Sequence, residues 1–129
     1  MRAIVLLAAC LVASFAYAGQ VRERDATWLA PPEAASKQNP IAGQPDVVAG
    51  GRKLFHQRCA SCHNEDGRGT TKGPDLTDDA VQQQTDGALV WKVTSGNSHA
   101  GMPAFSFLPE LQRWQVVSAL RDLSHAAGR

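Results

Sequence analysis

Cys59-Ala60-Ser61-Cys62-His63 is the stretch on which the fold turns. Two thiols one helical turn apart, followed at once by a histidine, form the pattern C-x-x-C-H. Three rival chemistries also use paired cysteines. A zinc site needs a second ligand pair of comparable spacing, and elsewhere the chain offers scattered single histidines. A thioredoxin-like redox pair sits at a strand-to-helix junction, and no strand pattern precedes Cys59. A structural disulfide has no use for His63. The pattern instead fits covalent attachment of a c-type haem. Each thiol adds to a vinyl group on one porphyrin edge, and the histidine is delivered to one face of the iron.

Upstream, the chain opens like an export signal. Arg2 supplies a positive start, and Ala3 to Phe15 is apolar apart from Ser14. Ala16-Tyr17-Ala18 is an A-x-A cleavage site, so residues 1–18 are expected to be removed. The run is too short and wrongly flanked for a membrane span. A competing reading makes Leu7-Ala8-Ala9-Cys10 a bacterial lipoprotein box, with Cys10 as lipid anchor. The apolar run continues past Cys10 to Tyr17, which suits the middle of a signal peptide better. The expectation is a periplasmic protein that touches a membrane only if Cys10 is lipidated.

Removal of the leader takes Arg2 with it, leaving 12 basic against 12 acidic side chains. No polybasic stretch points to nucleic acid or to a membrane surface. Cys10 also leaves, so both remaining cysteines lie in the motif. A domain this small buries a modest apolar core, and a bound cofactor would form a large part of it.

Residues 19–45 differ from the rest. Val21 to Asp25 is charged, Ala30 to Ala35 is rich in proline and alanine, and Pro40, Gly43 and Pro45 follow. This reads as an extended N-terminal arm or linker, with Trp28 and Ile41 able to pin it to the domain at residues 46–129. Asp46 is a candidate N-cap for a helix from Val47 to about Gln57, with Val48, Gly51, Leu54 and Phe55 on one side. Gly50 and Gly51 each cost about 1 kcal/mol inside a helix against alanine. Either they weaken its start or one of them admits a crossing helix.

After His63 comes the polar, glycine-bearing loop Asn64 to Gly69, then the turn Gly73-Pro74-Asp75-Leu76. Asp75, Asp78 and Asp79 lack the ligand spacing of a calcium loop and read as a solvated face. Thr77 to Asp79 would cap a short helix into the glutamine run. Thr85 or Asp86 caps a clearer helix with Leu89, Val90 and Val93 as its apolar stripe, ended by Gly96. The last helix starts at Pro109 and presents Leu111, Trp114, Val116, Val117, Leu120 and Leu123 to about Ser124. No stretch alternates with a period of two, so the domain is expected to be all-α with long loops.

The iron needs a sixth ligand or an open site. Met102 is the one methionine after the leader, and it lies in Gly101-Met102-Pro103-Ala104-Phe105 between two helices, off any apolar stripe. Met/His is a standard pair in haem electron carriers. His99 is the runner-up ligand, while His56 and His125 read as surface residues.

In these blocks the chain resembles a class I monohaem cytochrome c of the small bacterial type. Gly51-x-x-x-Phe55, Cys59-x-x-Cys62-His63, Gly73-Pro74-x-Leu76 and Met102-Pro103-x-Phe105 before the Trp114 helix occur in the family's order. The resemblance implies an all-α fold of about three core helices, with long loops wrapped around one covalent haem c. It implies that Gly51 and Phe55 meet the Trp114 helix, that the Pro74 carbonyl accepts from the His63 ring, and that Leu76 packs on the haem face. His63 and Met102 would ligate the iron. One departure is Ala119, where relatives often carry Tyr or Phe, which implies a looser crossing or one filled by another side chain, such as one from the arm.

The implied function is one-electron transfer, without conversion of a substrate, to redox partner proteins that dock transiently at the haem edge. Two other functions fit the residues less fully. One is a haem-bearing subunit of a periplasmic dehydrogenase or oxidase, held by residues 19–45. The other is a haem enzyme or sensor with a labile sixth ligand, which requires that Met102 not bind firmly.

Overall fold

A computed structural model describes residues 27–128; the expected leader and the first part of the arm lie outside the described residues. The helices are α1 (Pro32–Ala35), α2 (Pro45–Arg58), α3 (Ala60–His63), α4 (Asp79–Gln82), α5 (Asp86–Ser95) and α6 (Glu110–Ala126), with a 3-10 turn at Ser98–Ala100. Among the described residues there is no strand, only an isolated antiparallel bridge between Asn97 and Met102.

The helix termini follow local chemistry. Pro45 opens α2 at its first turn, where a missing N–H costs nothing. Asp46 therefore sits inside that turn and faces the helix dipole, and is not the expected N-cap. Thr85 does cap α5, its Oγ1 accepting from the Ala88 N–H at 3.1 Å. Gly96 ends that helix at φ 64°. Pro109 stands just outside α6, which begins at Glu110, one residue after the expected start.

The core is built on the crossing of α2 and α6. A Cβ added at Gly51 would fall inside the van der Waals envelope of the Gln115 carbonyl oxygen, 2.7 Å from its carbon and 3.1 Å from Ala119 Cβ. Ala119 is fully buried. The looser crossing expected from a small residue there does not occur, because alanine lets the two backbones touch. Gly50 meets only the tip of the Gln115 side chain. Phe55 packs with Leu120 and Leu123 of α6, while Trp114 and Val117 join Val81, Leu89 and Val90. Arg121 then ties α6 to the α4–α5 link, through Asp86 Oδ1 at 2.9 Å and the Gln82 and Gln84 carbonyls at 2.7 and 2.6 Å.

Over its described residues the segment read as an arm or linker lies on the domain. Helix α1 packs against α5, and a Cβ on Gly87 would strike the Ala34 carbonyl oxygen and stand 2.7 Å from that of Lys37. Thr85 Oγ1 donates to the Ala35 carbonyl at 2.6 Å. Asn39 Nδ2 donates to Ser118 Oγ on α6 at 3.0 Å, beside the small Ala119. Ile41 packs on the Trp114 cluster, and the Trp28 ring lies under the Lys92 ammonium, 4.6 Å from its centroid.

Candidate haem attachment and ligand site

Helix α2 delivers the motif. Cys59 closes it, its N–H donating to the Phe55 carbonyl at 2.8 Å, and the single turn of α3 follows with Cys62 and His63 N–H both on the Cys59 carbonyl. Neither cysteine forms a disulfide, and both are half-buried. Burial, then the nearby Cys62, push the Cys59 thiol up to about 11. It stays protonated at neutral pH, unlike the low-pKa thiol of a redox-active pair.

His63 is buried, with Nδ1 2.9 Å from the Pro74 carbonyl oxygen. With that nitrogen donating, the lone pair stands on Nε2. Burial pulls the His63 pKa below the ordinary 6.5, against the opposing pull of the Pro74 bond. The ring is therefore neutral at neutral pH, the form that binds a metal.

The loop after His63 is a closed device that sequence reasoning took for a plain polar loop. Asn64 turns the chain at φ 62°, and Gly67 and Gly69 follow at φ 74° and 86°, conformations that favour glycine. Thr70 Oγ1 donates to the Cys62 carbonyl at 2.6 Å, and Thr70 N–H to the Gly73 carbonyl at 2.9 Å. Leu76 N–H reaches the Gly67 carbonyl at 2.7 Å. A Cβ on Gly73 would stand 2.9 Å from Cε1 of His63, so the loop lies directly against the ring. Leu76 is half-buried between the Trp114 and Phe55 clusters.

The aspartates are structural. Asp75 Oδ1 accepts from both N–H and Oγ1 of Thr77 at 2.7 Å, and Asp78 caps α4 through the Val81 N–H at 3.0 Å. Among the described residues no group of three carboxylate, histidine or cysteine side chains could hold a metal ion.

Met102 sits on a second stapled loop. Asn97 and Met102 exchange two backbone bonds of 2.9 Å, Asn97 Oδ1 accepts from the Ala100 N–H at 3.2 Å, and Gly101 turns at φ 81°. The half-buried Met102 leans on Val93, Phe105, Leu108 and Val116, the cluster on which Cys59 also leans. His99 is exposed on the 3-10 turn, His125 is exposed near the end of α6, and exposed His56 meets Glu65 Oε1 at 3.0 Å.

Two thiols outside any disulfide, a neutral oriented imidazole and a thioether over a shared apolar cluster fit haem c by the chemistry of their donors. Residues 46–118 match the family described as Cytochrome C oxidase, cbb3-type, subunit III. The chain belongs to this family. It is a small class I c-type cytochrome domain, all-α, that binds haem c covalently and serves electron transfer with redox partners. Cytochrome c domains of this kind are typically carriers and typically exported. No curated protein matches the chain. Among the described residues, no helix of the cytochrome is long and apolar enough to cross a membrane.

Proposed function

We propose that this cytochrome is an exported one-electron carrier holding one haem through Cys59 and Cys62, with His63 and Met102 as iron ligands and Leu76 packed on the haem face. Residues 1–18 are its signal peptide and residues 46–129 its haem domain, with residues 19–45 preceding it. When bound, the haem supplies a reversible ferric/ferrous couple. The chain supplies its setting. Pro74 orients His63 and raises its basicity. Met102 offers a neutral sulfur that favours the ferrous state, and the Val93–Phe105–Leu108–Val116 cluster keeps water away. Ligands held in both oxidation states keep reorganisation small.

The observation that carries this reading is the pair of independent staples, Pro74 on His63 and Asn97 on Met102. One holds the His63 ring at the end of α3 and the other holds the loop that carries Met102. The test is an absorption spectrum of purified protein in both oxidation states. A far-red sulfur-to-iron band that vanishes in Met102→Ala supports the ligand pair. High-spin ferric haem in the unaltered protein removes the carrier reading in favour of an open-site enzyme or sensor.

The family's description names an oxidase subunit, which favours a second reading: a haem-bearing subunit of an oxidase or dehydrogenase complex. Phe107 and Leu111, 64% and 59% exposed, would serve there as interface residues. Native extraction distinguishes the two, since a subunit co-purifies with its complex and a carrier elutes alone. Lipidation at Cys10 would appear as a mass increase on the N-terminal peptide.

A further inference from the structure

We infer that Thr70 is a positioning residue for the iron ligand, setting through Pro74 how strongly His63 donates its Nδ1 proton; this rests on His63 ligation as proposed above. Two carbonyls must be held at a fixed separation for that bond to keep its length. One is Cys62 C=O, in the turn that carries His63, and the other is Pro74 C=O, which accepts from the ring. Thr70 spans them. Its hydroxyl donates to the Cys62 carbonyl at 2.6 Å and accepts from the Lys72 N–H at 3.0 Å, while its own N–H donates to the Gly73 carbonyl at 2.9 Å.

Every neighbouring tie acts in the same sense. Gly69 N–H bonds the His63 carbonyl at 2.9 Å, and a Cβ on Gly69 would stand 2.8 Å from the Pro74 carbonyl carbon. A Cβ on Gly73 would press on Nδ1 itself at 3.0 Å. Backbone lies close against the ring at Gly73, and the Thr70 side chain stitches the near end of the loop to the haem-attachment turn. Although Thr70 is exposed and touches neither thiol nor ring, loss of its hydroxyl frees the Cys62 carbonyl and lets the Pro74 carbonyl drift from Nδ1.

The electronic consequence has a definite sign. A strongly donating Nδ1–H makes His63 a more basic ligand and favours the ferric state; a weakened bond favours the ferrous state. Thr70→Val keeps the shape and removes the hydroxyl. Its midpoint potential should rise by the equivalent of a two- to fivefold shift in the ferrous/ferric ratio, about 20–40 mV at 59 mV per tenfold for one electron. In ferrous protein, His63 Nδ1–H should exchange with solvent about tenfold faster, and Thr70→Ser should restore both values.

Unchanged potential and exchange in Thr70→Val, or a Thr70→Ser that behaves like Val, overturns the inference while ligand-shifted His63 resonances show the ligation intact. Missing His63 resonances in the unaltered protein would overturn the ligation reading and this inference together. The unaltered protein gives a measurement that needs no folded variant. His63 Nδ1–H and the Thr70 amide should share one opening and agree in protection within about threefold. Protection of the ring proton well beyond that of the Thr70 amide refutes the coupling.

Discussion

Gly50 and Gly51 are adjacent in one helix, and the structure predicts opposite outcomes for the same substitution. In an open helix, glycine to alanine gains about 1 kcal/mol. At Gly51 the new methyl meets the Gln115 carbonyl, 2.7 Å from its carbon, where ordinary contact begins near 3.4 Å. The obstacle is the backbone of α6, so the helices must part by roughly 1 Å. A gap of that size forfeits a quarter to a half of each dispersion contact across it, among them those of Phe55 with Leu120 and Leu123. Overpacking of this kind costs about 1–3 kcal/mol, sometimes more. Taking about 3 against the 1 gained, Gly51→Ala loses roughly 2 kcal/mol, a fall in Tm of about 8–15 °C for a domain this size. At Gly50 the methyl meets Gln115 Nε2, the free end of a side chain that swings away. Gly50→Ala should therefore be neutral or stabilised by up to about 1 kcal/mol. Guanidinium unfolding of the haem-loaded proteins, followed by far-ultraviolet circular dichroism, measures both. A Gly51→Ala protein as stable as Gly50→Ala would refute the backbone contact on which the fold description rests.

A further outcome follows from the contact of α1 with α5. Gly87→Ala places a methyl against the Ala34, Lys37 and Ala35 carbonyls and should lift α1 from α5. Protease cleavage within residues 27–44 should rise about tenfold, with roughly 1–2 kcal/mol lost overall; unchanged cleavage would mean that the segment is not held there.

Much of this architecture was legible in the residues. The C-x-x-C-H spacing announced the cofactor, and periodic apolar positions outlined α2, α5 and α6 because each buries one stripe. Thr85 and Gly96 marked helix ends through chemistry that acts within a few residues. Asp46 misled because Pro45 competes for the same turn, and a proline at the first helical position shifts the start ahead of the acid. The docked segment was legible only in part. Trp28 and Ile41 could be named as pins, yet the seat of α1 on α5 runs through the carbonyls of Ala34, Ala35 and Lys37, and backbone contacts leave no apolar pattern to read.

The same physics explains why Ala119 suggested a loose crossing and gave a tight one. Counting side-chain volume treats a missing aromatic ring as a hole, which holds only if the helix axes stay fixed. Here Gly51 offers no Cβ and Ala119 only one methyl, so the helices approach until main chain meets main chain. Gly73 against His63 and Gly87 against Ala34 repeat the arrangement at the ligand loop and under α1. In each case a glycine marks a surface from which the backbone itself is the packing group. A glycine's own sequence neighbours say nothing of what it touches, since its partner lies on another element. That is why the donors at this site could be named from sequence, while the parts that hold them, Thr70 and the backbone around Gly69 and Gly73, emerged only in three dimensions.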